Sequence, residues 1–342
     1  MVAGVDQAAV SAWFGDHVPA AVPPLRFTTI AGGRSNLTYR VDDSGGHSWV
    51  LRRPPLSGVL PSAHDMAREH RIIAALGPTA VPVPGAVALC VDDAVTGAPF
   101  YVMEHVDGVV PRDEATVLAH FDEATRAAMS WSLVDALVEL HRVRPEAVGL
   151  GGLGRPDGYI QRQLARWRRQ WQQSRSRDLP AIDEVCDRLA ARIPPQGPAT
   201  IVHGDYRLDN VILSPAGQVR AVLDWELCTL GDPLADLGLL QVYWGEPGEP
   251  PLRLAGIAPT TLPGFPRRAE LAEAYARASG RDLSDLGFYV AFGYWKLAVI
   301  LEGVRARYAM GAYAPEDRPP AFADLVERLA EQALAATAAS GR

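Results

Sequence analysis

Between Ile201 and Asp224 the chain reads as strand, polar loop, strand, turn and strand, and this stretch narrows the available folds more than any other. Ile201-Val202 runs into His203-Gly204-Asp205. Val211 to Leu213 follows, Ser214-Pro215-Ala216-Gly217 supplies a turn, and Val219 to Leu223 returns to end on Asp224. The sequence on either side is helical in texture, so a small β element has to be housed among helices. Polar residues at the ends of short apolar strands are well placed to form a site.

Asp205 and Asn210 stand five positions apart in His203-Gly204-Asp205-Tyr206-Arg207-Leu208-Asp209-Asn210, and Asp224 closes the hairpin. An Asp or Asn in a turn often does no more than bond its own backbone, and either one alone would be read that way. The three together suit phosphoryl transfer. That reaction needs a carboxylate beside the attacking hydroxyl and oxygen ligands for the magnesium that bridges nucleotide phosphates. Asp205 is therefore assigned as the base, with Asn210 and Asp224 as metal ligands.

Upstream the order of elements is different. A short helix over Gln7 to Phe14 precedes strands at Leu25 to Ile30, Asn36 to Val41 and Ser48 to Arg52, separated by Gly32-Gly33 and Ser44-Gly45-Gly46. Pro54-Pro55 ends the third strand. Ser62 to Leu76 has helical spacing, with Ser62 as N-cap and Gly77-Pro78 as stop. Ala86 to Val91 and Phe100 to Val106 complete five strands. Beyond Gly108 helices are predicted over Glu114 to His141, Tyr159 to Gln173, Ile182 to Ile193, Arg268 to Ala278 and Leu286 to Arg307. The boundary is set at residues 106 and 107: a small β-rich N-terminal lobe, 1–106, and a helical lobe, 107–342, that carries the hairpin.

Composition trims the function classes. A net charge of -7 disfavours nucleic acid as a partner, because such proteins carry a basic face. Cys90, Cys186 and Cys228 lack CxxC spacing, so neither a disulfide framework nor a zinc site is indicated. No run approaches the roughly 18 uninterrupted apolar residues of a membrane span. A soluble, cytoplasmic protein with no membrane partner is expected.

The loop from His203 to Asn210, Leu223-Asp224-Trp225-Glu226 and Gly231-Asp232-Pro233-Leu234-Ala235-Asp236-Leu237 resemble the motifs of the aminoglycoside phosphotransferase family. The likeness covers nearly the whole chain. It is closest to the branch of kinase-like domains fused to acyl-CoA dehydrogenases, which also share the upstream Gly32-Gly33-Arg34-Ser35-Asn36-Leu37-Thr38-Tyr39. The resemblance implies an α+β, bilobal protein-kinase-like fold with ATP as donor, GTP as the alternative, and Mg2+. It also implies that Asp236 braces the catalytic loop and that His203 is structural.

By the same likeness the N-terminal lobe holds the nucleotide. Gly32 and Gly33 let backbone N–H groups approach phosphates, with Arg34, Ser35 and Asn36 beside them. Arg52 falls where a kinase has its phosphate-gripping lysine, with Glu69 on the next helix as its carboxylate. Met103 takes the gatekeeper position, and Glu104 and Val106 offer a carbonyl and an amide to adenine.

The acceptor is expected along Tyr159 to Trp171. On a helix Ile160, Leu164, Trp167 and Trp171 form an apolar stripe beside a basic one of Arg162, Arg166 and Arg169. Either the helix packs this stripe and solvates its arginines, or the arginines meet an anionic acceptor while the aromatics line an apolar groove. Tyr159, Arg162 and Arg166 are read as acceptor-binding residues for an anionic hydroxy compound such as a hydroxyacyl-CoA or hydroxy acid. Glu226 is read as either an acceptor or a metal-site residue. The alternatives are an aminoglycoside or amino-sugar O-phosphotransferase and a non-catalytic nucleotide-binding protein. Of 33 Lys plus Arg residues, one is lysine, Lys296, late in the second lobe. Arg52 is therefore expected to grip phosphate, and Lys296, far along the chain from that grip, to leave the KM for ATP and turnover unchanged when replaced by Ala.

Overall fold

A computed structural model of the protein describes residues 2–30, 36–56, 65–249, 259–309 and 322–339. Gly32, Gly33, Arg34, Ser35 and Ser62 lie outside these. The described chain divides into two units, Met1–Gly108 with Arg220–Leu227, and Val109–Val219 with Cys228–Arg342.

The first unit contains α1 (Gln7–His17), β1 (Arg26–Thr29), β2 (Leu37–Asp42), β3 (Ser48–Arg53), α2 (Met66–Leu76), β4 (Ala86–Cys90), the short α3 (Asp93–Thr96) and β5 (Phe100–Glu104). The strands form one antiparallel sheet in the order β1-β2-β3-β5-β4. Alternation along β3 assigns the faces. Trp49 and Leu51 join Trp13 and Phe14 of α1, with Phe27, Tyr39, Val41, Phe100 and Val102, in one apolar core. Val50 and Arg52 point the other way, toward α2, whose Ile72, Ile73 and Leu76 are buried. Arg53 returns to the first face, where its guanidinium donates to the carbonyls of Gly4 and Thr96. α2 starts at Asp65, whose carboxylate accepts from Arg68 N–H at 2.9 Å.

The second unit is mainly helical: α4 (Glu114–His120), α5 (Glu123–Arg142), α6 (Tyr159–Ser174), α7 (Pro180–Ala190), the short strands β6 (Thr200–Val202), β7 (Val211–Leu213), β8 (Val219–Val222, only its first residue in this unit) and β9 (Thr229–Gly231), then α8 (Leu234–Tyr243), α9 (Arg268–Ser279), α10 (Leu286–Ala309) and α11 (Phe322–Ala339). The single helix expected over Glu114 to His141 is two. Phe121 is extended, and Asp122 caps α5 by accepting from Thr125 N–H at 2.8 Å. α8 and α11 had no counterpart in the sequence reading. The turn between β7 and β8 is closed by Ser214 N–H on Gln218 O at 2.8 Å.

α10 is long and apolar enough to cross a membrane by length and composition, yet most of that stretch is buried in the protein. It packs on α8 and α11. Two glycines set how closely α8 and α10 approach. A Cβ on Gly238 would lie 2.6 Å from the Tyr289 backbone, and one on Gly293 would lie 3.0 Å from Val242. This close crossing brings the middle of α10 to the loop that follows β6.

Candidate active site

In the first unit, the sheet face toward α2 gathers the charged residues. Arg52 and Tyr101 are cross-strand partners, so their side chains emerge together. Tyr101 donates to Glu69 Oε2 at 3.1 Å, and Arg52 Nε lies 3.1 Å from that oxygen, close enough for an ion pair but not aligned as a hydrogen bond. The far side of the guanidinium donates to Asp224 Oδ1 at 2.5 Å. Asn36 completes the group, its amide reaching Glu69 Oε1 at 3.3 Å and Glu226 Oε2 at 3.4 Å. Its buried Oδ1 has no hydrogen-bond partner among the described residues.

Burial works against the Arg52 charge, but the carboxylates of Glu69 and Asp224 outweigh it and push its pKa up. For Glu69, burial dominates and lifts the carboxyl above its usual range, with Arg52 opposing. Asp224 itself has φ 67°, and among the described residues no other non-glycine has a positive φ. Asp is among the few non-glycine residues that adopt this left-handed conformation. Trp225 is buried, its indole donating to Val222 O at 3.0 Å. Met103 is buried on β5, Glu104 is exposed with its N–H on Gly85 O, and Val106 lies two residues past the strand.

In the second unit the loop after β6 is fixed through its backbone. Asp236, buried at the start of α8, accepts from His203 N–H at 2.6 Å and Gly204 N–H at 2.8 Å. His141 stands behind it, with Nε2 3.2 Å from Asp236 Oδ2 and Nδ1 2.7 Å from the Tyr275 hydroxyl. A neutral His141 that donates to Asp236 and accepts from Tyr275 satisfies both contacts, and burial holds its pKa down. Gly204 has φ 86°, a left-handed turn that suits glycine. His203 is fully buried, and its Nδ1 accepts from Asp205 N–H at 3.2 Å.

On the other side of this turn, Asp205 Oδ2 accepts from Arg207 at 3.2 Å and from Asn210 Nδ2 at 3.0 Å. Asn210 Nδ2 also reaches Asp205 O at 2.9 Å, so its amide hydrogens face the base position. Arg207 also pairs with Asp209 at 2.9 Å and lies 5.0 Å over the Tyr243 ring. Sequence reasoning passed over Arg207, although it stands inside the quoted motif.

Lys296, far along the chain from Arg52, reaches the loop after β6. It is buried in α10 with Nζ donating to Gly204 O at 2.8 Å, because α10 crosses α8 so closely. On α6 the apolar stripe of Ile160, Leu164, Trp167 and Trp171 is buried, as is Tyr159. Arg162 folds back, its guanidinium donating to the carbonyls of Asp157 and Arg155, so its donors serve the helix start. Arg166 is exposed and lies 5.2 Å over the Trp167 ring. Glu226 joins the Arg52 group through its contact with Asn36.

A buried pair of Arg52 on β3 with Glu69 on α2, and a loop that ties Asp205 to Asn210, are features that kinase-type phosphotransferases share. The model of the phosphotransferase enzyme family matches residues 26–288, and the chain belongs to that family. A solved structure of a Ralstonia eutropha protein, assigned by its name to the aminoglycoside phosphotransferases, is 34% identical with a TM-score of 0.82 and 98% coverage of both chains. The fold is thus the α+β kinase-like one, and the family is one of phosphotransferase enzymes. Acyl-CoA dehydrogenase family member 11 of Pongo abelii is 34% identical over 337 residues, 96% of this chain. The chain spans 43% of that relative's length. An aminoglycoside phosphotransferase in ternary complex with ADP and hygromycin B shares the fold at 14% identity, with a TM-score of 0.62 over 98% of both chains.

Proposed function

We propose that the protein moves the γ-phosphoryl group of ATP to a hydroxyl of a small anionic acceptor, a hydroxyacyl-CoA or hydroxy acid, with Asp205 as base. The observation that carries this reading is the Asp205, Arg207 and Asn210 contact set on a loop whose backbone is held by Asp236. Arg207 and Asn210 fix the direction of the carboxylate that would receive the hydroxyl proton. Arg52, held against Glu69, grips the nucleotide phosphates, and its fork of donors suits them. The main chain at Glu104 and Val106 takes adenine beside Met103.

Magnesium takes hard oxygen ligands. The donor chemistry fits: the Asn210 amide nitrogen is committed to Asp205, which turns its carbonyl oxygen away, and Asp224 supplies a carboxylate. Bound there, the ion would neutralise charge on the phosphates. Asp224 would then exchange its Arg52 partner for the metal.

An anionic acceptor suits Arg166 and Arg169, both exposed on α6, better than a polycation would. The name of the acyl-CoA dehydrogenase relative also favours an acyl-CoA acceptor. An aminoglycoside or amino sugar is the second reading, favoured by the Glu226 carboxylate and by the names of the structural neighbours. A screen of ATP consumption across hydroxyacyl-CoAs, hydroxy acids, amino sugars and aminoglycosides, with Asp205→Asn as blank, decides between them. Turnover with a hydroxyacyl-CoA or hydroxy acid is expected, and an aminoglycoside hit overturns the anionic reading.

A further inference from the structure

The chain meets almost every need for a cation with arginine, so its one lysine marks a place where a guanidinium does not serve. Lys296 is 8% exposed in the middle of α10. A buried ammonium is costly unless its donors are met. Here Gly204 O accepts at 2.8 Å, and the Trp167 ring lies with its centroid 5.7 Å from Nζ. Burial pulls its pKa down while the nearby charges of Asp205 and Asp236 favour the protonated form. A planar fork of five donors would need more partners and more room than this slot beside Gly293 gives.

The carbonyl that Lys296 holds belongs to the peptide joining Gly204 to Asp205. The N–H of that same peptide donates to His203 Nδ1 at 3.2 Å, and the N–H of the preceding peptide is held by Asp236. Glycine at φ 86° imposes little torsional preference of its own, so these contacts fix the plane from which the Asp205 side chain departs. The adjacent cavity, lined by Tyr159, Gly204, Asp236, Phe292 and Lys296 among others, has about 10 Å³, room for one water and none for an acceptor. The Lys296 ammonium thus contacts the loop backbone directly.

We propose that Lys296 is a positioning residue for Asp205: by holding the Gly204 carbonyl it sets the direction in which the Asp205 carboxylate meets the acceptor hydroxyl. The inference rests on the reading of Asp205 as the base. Its test measures kcat and KM for ADP release from Mg-ATP, with water as acceptor, in Lys296→Met, Asp205→Asn and the double variant. Lys296→Met is expected to lower kcat about tenfold to a hundredfold, with KM for Mg-ATP within about twofold of the parent. Adding Lys296→Met to Asp205→Asn should cost nothing further, because the group being positioned is already gone. An unchanged kcat, a loss carried by KM, or losses that multiply in the double variant would each overturn the proposal. If Lys296→Met does not fold, Lys296→Gln, one methylene too short to reach Gly204, should lose at least about fivefold in kcat, and a parental kcat there overturns it as well. Should Asp205→Asn keep the parental rate, the reading of the base fails. Should Asp205→Asn alone lose rate, only the role of Lys296 fails.

Discussion

The Arg52 group and the Asp205 loop are both rich in charge, but they are held in different ways. Around Arg52 charges hold one another: Glu69, Asp224 and the guanidinium come from three separate segments and meet through their side chains alone. Around Asp205 the backbone is held, and the ionisable side chains of Asp236 and Lys296 serve as clamps on peptide groups. The first arrangement can exchange partners when a nucleotide or metal arrives. The second leaves Asp205 little freedom, as proton transfer by the proposed base would require.

The largest effect should come from breaking a backbone clamp. Asp236→Ala strands the N–H groups of His203 and Gly204 and the His141 ring in the interior, at a cost of about 3–5 kcal/mol in chemical denaturation at neutral pH. Its pH dependence has a definite sign. Burial alone would raise the Asp236 pKa, but the hydrogen bond to His141 and the loop N–H groups bring it below the 3.8 of an ordinary Asp. A carboxyl with a depressed folded pKa contributes stability above its unfolded value and loses it as pH falls through the folded one. Stability of the parent should therefore fall below about pH 4 more steeply than that of Asp236→Ala.

Next in size is the loss of the partner-exchanging cation. Arg52→Ala should raise the KM for ATP about tenfold to a hundredfold, the worth of a charge-assisted contact to phosphate, as read from initial rates. If Arg52→Ala instead lowered kcat at constant KM, the two groups would not divide their work as described. The smallest effect is expected on α6. Arg162→Ala removes contacts to the carbonyls of Asp157 and Arg155, so it should cost under about 1 kcal/mol and leave the acceptor KM within about twofold. Arg166→Ala should raise that KM about tenfold.

Legibility in the sequence followed the separation between partners. Asp205 and Asn210 are five residues apart, and their motif and their contact could be read directly. The five strands were legible because alternation and Gly or Pro punctuation are local, and the Arg52–Glu69 pairing followed from strand order and the family likeness. Arg52 and Asp224 are 172 positions apart, and Lys296 and Gly204 are 92. Nothing local announces such contacts. The break at Phe121-Asp122 was hidden because apolar spacing continues across it, and α8 because it is apolar on all sides and shows no helical period. The one clue to Lys296 in the sequence is its solitude in the composition.

The central claim, that a base at Asp205 transfers phosphate from ATP, is tested most directly by following the labelled γ-phosphate of ATP into the acceptor found by the screen. Asp205→Asn, compared with the parent at matched nucleotide saturation, should lose about a hundredfold to ten-thousandfold in transfer while its KM for ATP stays near parental. Transfer by Asp205→Asn at the parental rate would contradict the account.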